Sequence, residues 1–311
     1  MPLSSTWYVP LAVLSGAGFA VLAISYRMGQ PKGIAPIHII VVCSLIGAAV
    51  LGVKSLASPW GEVPAWVLLA AVIVGASQYL IVLLAKAALQ MGPVSALACI
   101  LSMSFLPVSL YANRVFGERV APLQYAAFPL AVISIVAASL SSRQQTSAAR
   151  VATGKPKVSL RYGLVLVAIL LVNTLPFVMI KELGTRKFAS VPEQTYMARF
   201  GDIYFFTFYM VLAACTAAHL GIRRQFHPNV RAVLALGALA GLGSVIGILG
   251  LEACADGPTA TVFTLNNVST VVVTAIVSAI FFGEGRRLTW YATVICGVLA
   301  MVLAKLNEIL N

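Results

Sequence analysis

Apolar runs of roughly 20 residues, parted by short polar or Gly/Pro-rich breaks, recur ten times along the chain. They cover approximately 6–26, 34–53, 64–89, 93–113, 122–140, 161–180, 194–218, 230–251, 258–282 and 288–306. About 20 residues of helix is the length that crosses ~30 Å of hydrocarbon, so each run predicts a membrane-spanning helix. The breaks carry helix-end signals: "GQPKG" at 29–33, "SPWGEVP" at 58–64, and "GP" at 92–93 and 257–258. Proline beside glycine at a helix start costs little, because the first-turn N–H has no partner anyway. The first run lacks the basic leader and short apolar core of a cleaved signal, so it is read as a span. One connection is long and polar, Ser141 to Arg161. It divides the chain into a first five-helix unit (1–140), a basic linker (141–160) and a second five-helix unit (161–311).

The two units resemble each other. "GPVSALACILSMS" (92–104) laid over "GPTATVFTLNNVS" (257–269) matches Gly, Pro and the final Ser. With one residue of slippage, "VFGERVAPLQYA" (115–126) lies over "FFGEGRRLTWYA" (281–292), matching Gly-Glu and Tyr-Ala. This ordered series predicts an internal repeat. Five spans per repeat bring the second copy in from the opposite side, so the expected fold is all-α and integral to the membrane, ten transmembrane helices as two inverted five-helix repeats. Such folds place a solute site at the repeat interface.

Composition agrees. Hydrophobic residues make up 60% of the 311 positions and charged ones 10%, with a mean hydropathy of +0.96. Soluble domains carry about 25% charged residues. The net charge of +12 is scattered through short connections and forms no basic patch, so nucleic acid is not an expected partner. Cys43, Cys99, Cys215, Cys254 and Cys296 lie in or beside apolar runs, as small packing residues do. His38, His219 and His227 are not grouped with other ligands. No metal cluster, nucleotide loop or nucleophile triad is present in the sequence, so neither a metal, a cofactor nor an enzyme activity is expected.

Against this apolar background the polar residues are the candidates. Asn266 and Asn267 sit inside the ninth run, over Leu101 and Ser102 of the fourth, and Ser269 lies over Ser104. Adjacent helical residues differ by about 100°, so the two amides face different ways. Either they bond neighbouring helices or one of them meets a solute. In the seventh run, Arg199 and Asp202 share a helical face and are spaced to pair, with Tyr196 and Phe200 alongside. Ionisable groups within a membrane face the bundle interior or a hydrated cavity. A free Arg199 would suit a carboxylate or phosphate. Tyr79 is the deeper of the aromatic candidates. Lys86 and Glu252, near the ends of the third and eighth runs, are candidates for charge coupling, with snorkelling to the interface as the alternative for both.

The stretches "AALQMGPVSA" (87–96), "FLPVSLYANRVFGERVAPLQY" (105–125) and "GPTATVFTLNN" (257–267) with "FFGEGRRLTWYA" (281–292) resemble the drug/metabolite transporter superfamily, in particular its ten-span EamA-like members. Pro107, Gly117, Glu118 and Arg119 match the family's proline and turn in the first half, and Gly283 and Glu284 match in the second. The second half lacks an equivalent of Pro107 and has Gly285 in place of the arginine. The resemblance implies a transporter fold in which the fourth span of each half lines a central cavity, with no substrate specified.

Together these readings predict a secondary transporter for a small polar metabolite, an amino acid or another zwitterion or anion, working by alternating access in a bacterial inner membrane. Ser102, Ser104, Asn266, Asn267, Tyr79, Tyr196 and Arg199 are the expected solute-binding residues, and Asp202, Glu252 and Lys86 the coupling candidates. A lipid-linked metabolite flippase and a non-transporting scaffold are the alternatives. The solute and membrane lipid are the expected partners, and a homodimer is left open. Twelve basic residues flank one side of the spans and seven the other. That asymmetry places the 141–161 connection in the cytoplasm and both termini outside, whereas the family resemblance implies termini inside.

Overall fold

The computed structural model describes residues 5–91, 100–118, 122–149, 160–188, 191–225, 227–281 and 288–310. Ten helices account for nearly all of them. These are α1 (Ser5–Gly29), α2 (Pro36–Ser55), α3 (Ala65–Met91), α4 (Phe105–Phe116), α5 (Pro122–Ala149), α6 (Leu160–Thr185), α7 (Tyr196–Arg223), α8 (Val230–Ala253), α9 (Thr259–Phe281) and α10 (Leu288–Leu310). Local chemistry sets several ends. Pro36 opens α2 at a position where its missing N–H is not needed. Thr195 and Asn229 cap α7 and α8 by accepting the N–H groups of Ala198 and Ala232. Gly117 closes α4 at φ +65°, a left-handed turn that favours glycine.

Among the described residues, seven helices are long and apolar enough to cross a membrane: α1 to α3 and α6 to α9. In α5 and α10 the apolar stretches are shorter, Tyr125–Ala137 and Trp290–Leu303. The molecule is therefore consistent with an all-α, multi-pass membrane protein. Large apolar side chains such as Leu110, Leu164, Leu171, Leu242 and Ile246 point outward, while serines, threonines and asparagines lie buried inside. Lipid accounts for that inversion, since an aqueous surface would favour the opposite.

Three features depart from the sequence reading. The fourth run is not one helix: residues 100–102 are helical, Met103 and Ser104 form a turn, and α4 then starts. The turn frees the Leu101 carbonyl, which accepts from Ser104 Oγ (3.2 Å) and from Asn173 Nδ2 of α6 (2.9 Å). Helix α5 runs on to Ala149, past the expected linker boundary at Leu140, because Ser, Gln, Arg and Ala there tolerate a helix. Between α6 and α7 a short antiparallel hairpin forms, β1 (Lys187–Phe188) with β2 (Val191–Thr195). It pairs backbone groups that a bare loop would leave to solvent.

Successive helices alternate in direction and their ends gather at two faces. The near face holds the start of α1 and the ends of α2, α4, α6 and α8, joined by contacts such as Cys254 Sγ to Tyr8 O at 3.5 Å. At the far face His38 Nε2 lies 2.7 Å from Gln225 O. Between them α1 packs on α8 and α9, and α6 on α3 and α4. Helix α2 packs on α7 and α8, α3 on α7, α4 on α9, and α5 on α10. The α1–α8–α9 seam is the tightest. A Cβ on Gly18 would come within 2.6 Å of Gly243 O and Gly247 N, and one on Gly16 would overlap Ser269 Oγ and Asn266 O. Small residues that let backbones touch are the usual means of helix association in lipid.

Candidate functional site

Among the described residues, two groups of polar side chains that link helices bear on function, one inside the bundle and one at its near face. The first follows the α1–α8–α9 seam. Ser15 Oγ lies 2.6 Å from Gly247 O and 2.8 Å from Asn266 Oδ1, so one hydroxyl links three helices. Thr270 Oγ1 donates to Gly16 O and Asn266 O at 3.0 and 2.8 Å. Asn267 turns elsewhere, and its Nδ2 donates to Phe263 O one turn back at 2.9 Å. The two amides thus divide the roles left open by the sequence: Asn266 holds helices together, and Asn267, among the described residues, is tied to its own helix. Asn266→Ala should lower thermal stability by about 1–2 kcal/mol, the range for interhelical hydrogen bonds in membranes. Asn267→Ala should cost less than half as much. Equal losses in a thermal unfolding comparison would show that the Ser15 contact contributes nothing.

The second group is a layer of ion pairs at the near face, and among the described residues every pair in it but Glu182–Arg186 joins the two halves of the chain. Arg199 of α7 pairs with Glu62, and its guanidinium lies 5.2 and 5.8 Å from the Phe188 and Phe200 ring centres. Lys54 of α2 lies 2.6 Å from Asp202 of α7 and 4.0 Å from Glu252 of α8. Lys181 of α6, only 1% exposed, pairs with Glu118 and donates to Gly257 O at 2.9 Å. The other Glu118 oxygen accepts the Thr259 N–H at the start of α9 at 3.0 Å. Beside it, Glu182 accepts from the Tyr111 hydroxyl and pairs with Arg186.

The expected residues are therefore distributed over several places. Arg199 and Asp202 do not pair with each other. Opposite charges on neighbouring segments, Glu62 and Lys54, reach them first, so the spacing along α7 misleads. Asp202 and Glu252, read separately, share Lys54. Tyr196 stands at the near face in ring contact with Trp66, Phe188 and Phe200. The Tyr79 hydroxyl lies 2.9 Å from His219 Nδ1, joining α3 to α7. Ser104 is buried at the break before α4, and Ser102 is half-buried beside it; Lys86 is exposed.

Sequence reasoning missed three buried hydroxyls on the facing helices α4 and α9. Ser109, Thr259 and Thr264 have no hydrogen-bond partner among the described residues. It also missed Lys181, counted as a base flanking the spans but drawn inside by Glu118. A Lys-Glu pair, Lys181-Glu182, at the end of an apolar run was the available signal. Among the described residues no group of three or more His, Cys, Asp or Glu could hold a metal.

No family model matches this chain, and no curated protein matches it. Solved structures do. One, described only as "Crystal structure of protein", is similar over 98% of this chain and 98% of its own, with a TM-score of 0.71 at 16% sequence identity. At that identity the likeness shows a shared fold and nothing of function.

Proposed function

We propose that the chain is a secondary transporter, a member of the drug/metabolite transporter superfamily, that moves a small polar metabolite across a bacterial inner membrane by alternating access between two inverted five-helix repeats. The observation that carries this reading is the exchange of packing partners when helix n is replaced by helix n+5. The α1–α8 contact becomes α6–α3, α1–α9 becomes α6–α4, and α2–α8 becomes α7–α3, while α2–α7, α4–α9 and α5–α10 map onto themselves. A residue-level match supports it. Leu101 and Asn266, aligned in the repeat, each accept a hydrogen bond from the equivalent helix, from Asn173 of α6 and Ser15 of α1 respectively. The break before α4 supports transport in particular, because discontinuous helices at a repeat interface recur at solute sites. The unpartnered hydroxyls of Ser109, Thr259 and Thr264 supply groups for a polar solute.

A thermal-shift screen of the purified protein against metabolite classes tests the reading, because a ligand of the folded state raises the melting temperature. A class that stabilises the protein should also accumulate in vesicles containing it. Lipid exchange between leaflets without solute uptake would replace the reading with a flippase.

Orientation follows from charge. Assigned along the sequence to alternate sides of the spans, with Lys86 and Arg199 added, thirteen of the 21 basic residues fall on the side of the 141–161 connection, and every acidic residue except Glu284 falls on the other. The basic bias puts the far face in the cytoplasm. A Ser147→Cys variant should therefore resist an impermeant thiol reagent added outside intact cells. The reaction needs a background without accessible native thiols. Cys254 meets that condition as it stands, since burial, with Asp256 beside it, pushes its thiol up to about 12. Rapid labelling at position 147 would reverse the orientation.

A further inference from the structure

We propose that Lys181 and the first turn of α9 form an anion-binding site that the Glu118 carboxylate fills in this conformation, and that the transported solute presents a carboxylate or phosphate to the same groups. The inference rests on the transporter reading above and names its substrate class.

The site is built from both halves. Gly117, in its left-handed turn, ends α4 and turns the chain so that Glu118 reaches across to α6 and α9. Asn113 Nδ2 donates to Glu118 O at 2.8 Å and holds the turn. One Glu118 oxygen then pairs with Lys181 and the other accepts from Thr259 N–H. A helix N-terminus with a free N–H and a partial positive charge favours an anion. Lys181 is inside the protein rather than snorkelling, 1% exposed, with Gly257 O as its other partner. Thr259 is also 1% exposed, and its hydroxyl has no hydrogen-bond partner among the described residues. The hydroxyl belongs to the residue whose backbone N–H donates to Glu118, so the same residue carries a second donor that is not engaged.

These groups, an ammonium, a helix N–H and a spare hydroxyl, match the oxygens of a small carboxylate or phosphate. Glu118, 27% exposed in its side chain, occupies their place from a turn at the end of α4. When α4 and α9 separate at the near face, Glu118 leaves with α4 and a solute anion takes its position. Glu118 then returns as the solute departs, which prevents Lys181 from being stranded without a counter-charge. No covalent step is involved.

Chemical rescue tests the site on the whole chain in detergent or nanodiscs. Glu118→Ala should lower the melting temperature, and acetate, formate or inorganic phosphate should restore it with saturation at millimolar concentration. Chloride at the same ionic strength should not. The wild type, with its site filled, should respond at least tenfold more weakly, and Glu118→Ala/Lys181→Met not at all. An anion response that survives loss of Lys181, or its absence from Glu118→Ala, overturns the proposal. If Glu118→Ala does not fold, Glu118→Gln is tested by the same titration, since a neutral amide should yield to an anion where a carboxylate does not. The rescue does not depend on transport. Rescue without solute uptake leaves the anion site standing and defeats the transporter reading, whereas uptake of a solute lacking any anionic group does the reverse.

Discussion

Lys181→Met is expected to destabilise the protein by about 3–5 kcal/mol, the cost of breaking a buried ion pair by removing one partner. The loss has three parts. Glu118 keeps a charge beside α9 with only the helix N-terminus to balance it. Gly257 O loses its donor, which sits in a turn already buried with Cys254 and Ala255. The end of α6 loses its polar link to the start of α9, leaving apolar contacts such as Gly184 with Ala255 and the Phe177 ring with that of Phe263. By the scaling for domains of 150–250 residues this lowers the melting temperature by roughly 10 °C. Adding Glu118→Gln should recover part of the loss, because the stranded charge goes with it. A double-mutant cycle is the appropriate measurement, since contacting residues couple by about 0.5–3 kcal/mol. Additive losses would mean that Lys181 and Glu118 do not act as a pair.

How far the sequence could be read depended on which forces set each feature. Most helices and their boundaries were legible because an apolar run of about 20 residues reads as a helix and Gly and Pro punctuate it; among the described residues α5 and α10 carry shorter apolar stretches than the sequence reading gave them. The break before α4 was not legible, because it depends on Asn173 of α6 donating to the freed Leu101 carbonyl, a contact 72 positions away. The roles of Asn266 and Asn267 were undecidable for a related reason. Periodicity says that two adjacent amides face apart, but only the placement of α1 decides which of them meets Ser15. Charge pairing failed more instructively. Arg199 and Asp202 have the spacing of a pair, yet both are neutralised by other segments. An interior charge takes the best-placed opposite charge in space, and three-residue spacing gives no priority.

The interleaving of the two halves also bears on what can move. The proposed repeat divides the sequence into halves, but α1 of the first half is packed against α8 and α9 of the second, and α6 of the second against α3 and α4 of the first. Rigid motion of residues 1–140 against 161–311 would tear the glycine seam open. On the proposed transport reading, motion is expected instead between α4 and α9 at the near face, where Glu118 meets Thr259 and Lys181, with the α1–α8–α9 seam moving as one body.

Gly16→Val tests that rigidity and should have the other large effect. The new Cβ would overlap Ser269 Oγ, which can rotate, and Asn266 O, which belongs to the α9 backbone and cannot. Relief requires α1 to lift from α9, and this also strains the Thr270 bond to Gly16 O and the Ser15 link to Asn266 and Gly247. Overpacking alone costs about 1–3 kcal/mol, and the loss of these bonds adds to it, so little monodisperse protein should survive solubilisation. Gly221→Val is the control: nothing lies within 4 Å of its Cβ position, so it should lose only helix propensity and behave as wild type on a sizing column. Ser269→Ala combined with Gly16→Val separates the two causes. It removes the hydroxyl but leaves the carbonyl in place, so the double variant should remain defective. Full recovery would show that a side chain alone sets the spacing, and α1 would then be free to slide on α9.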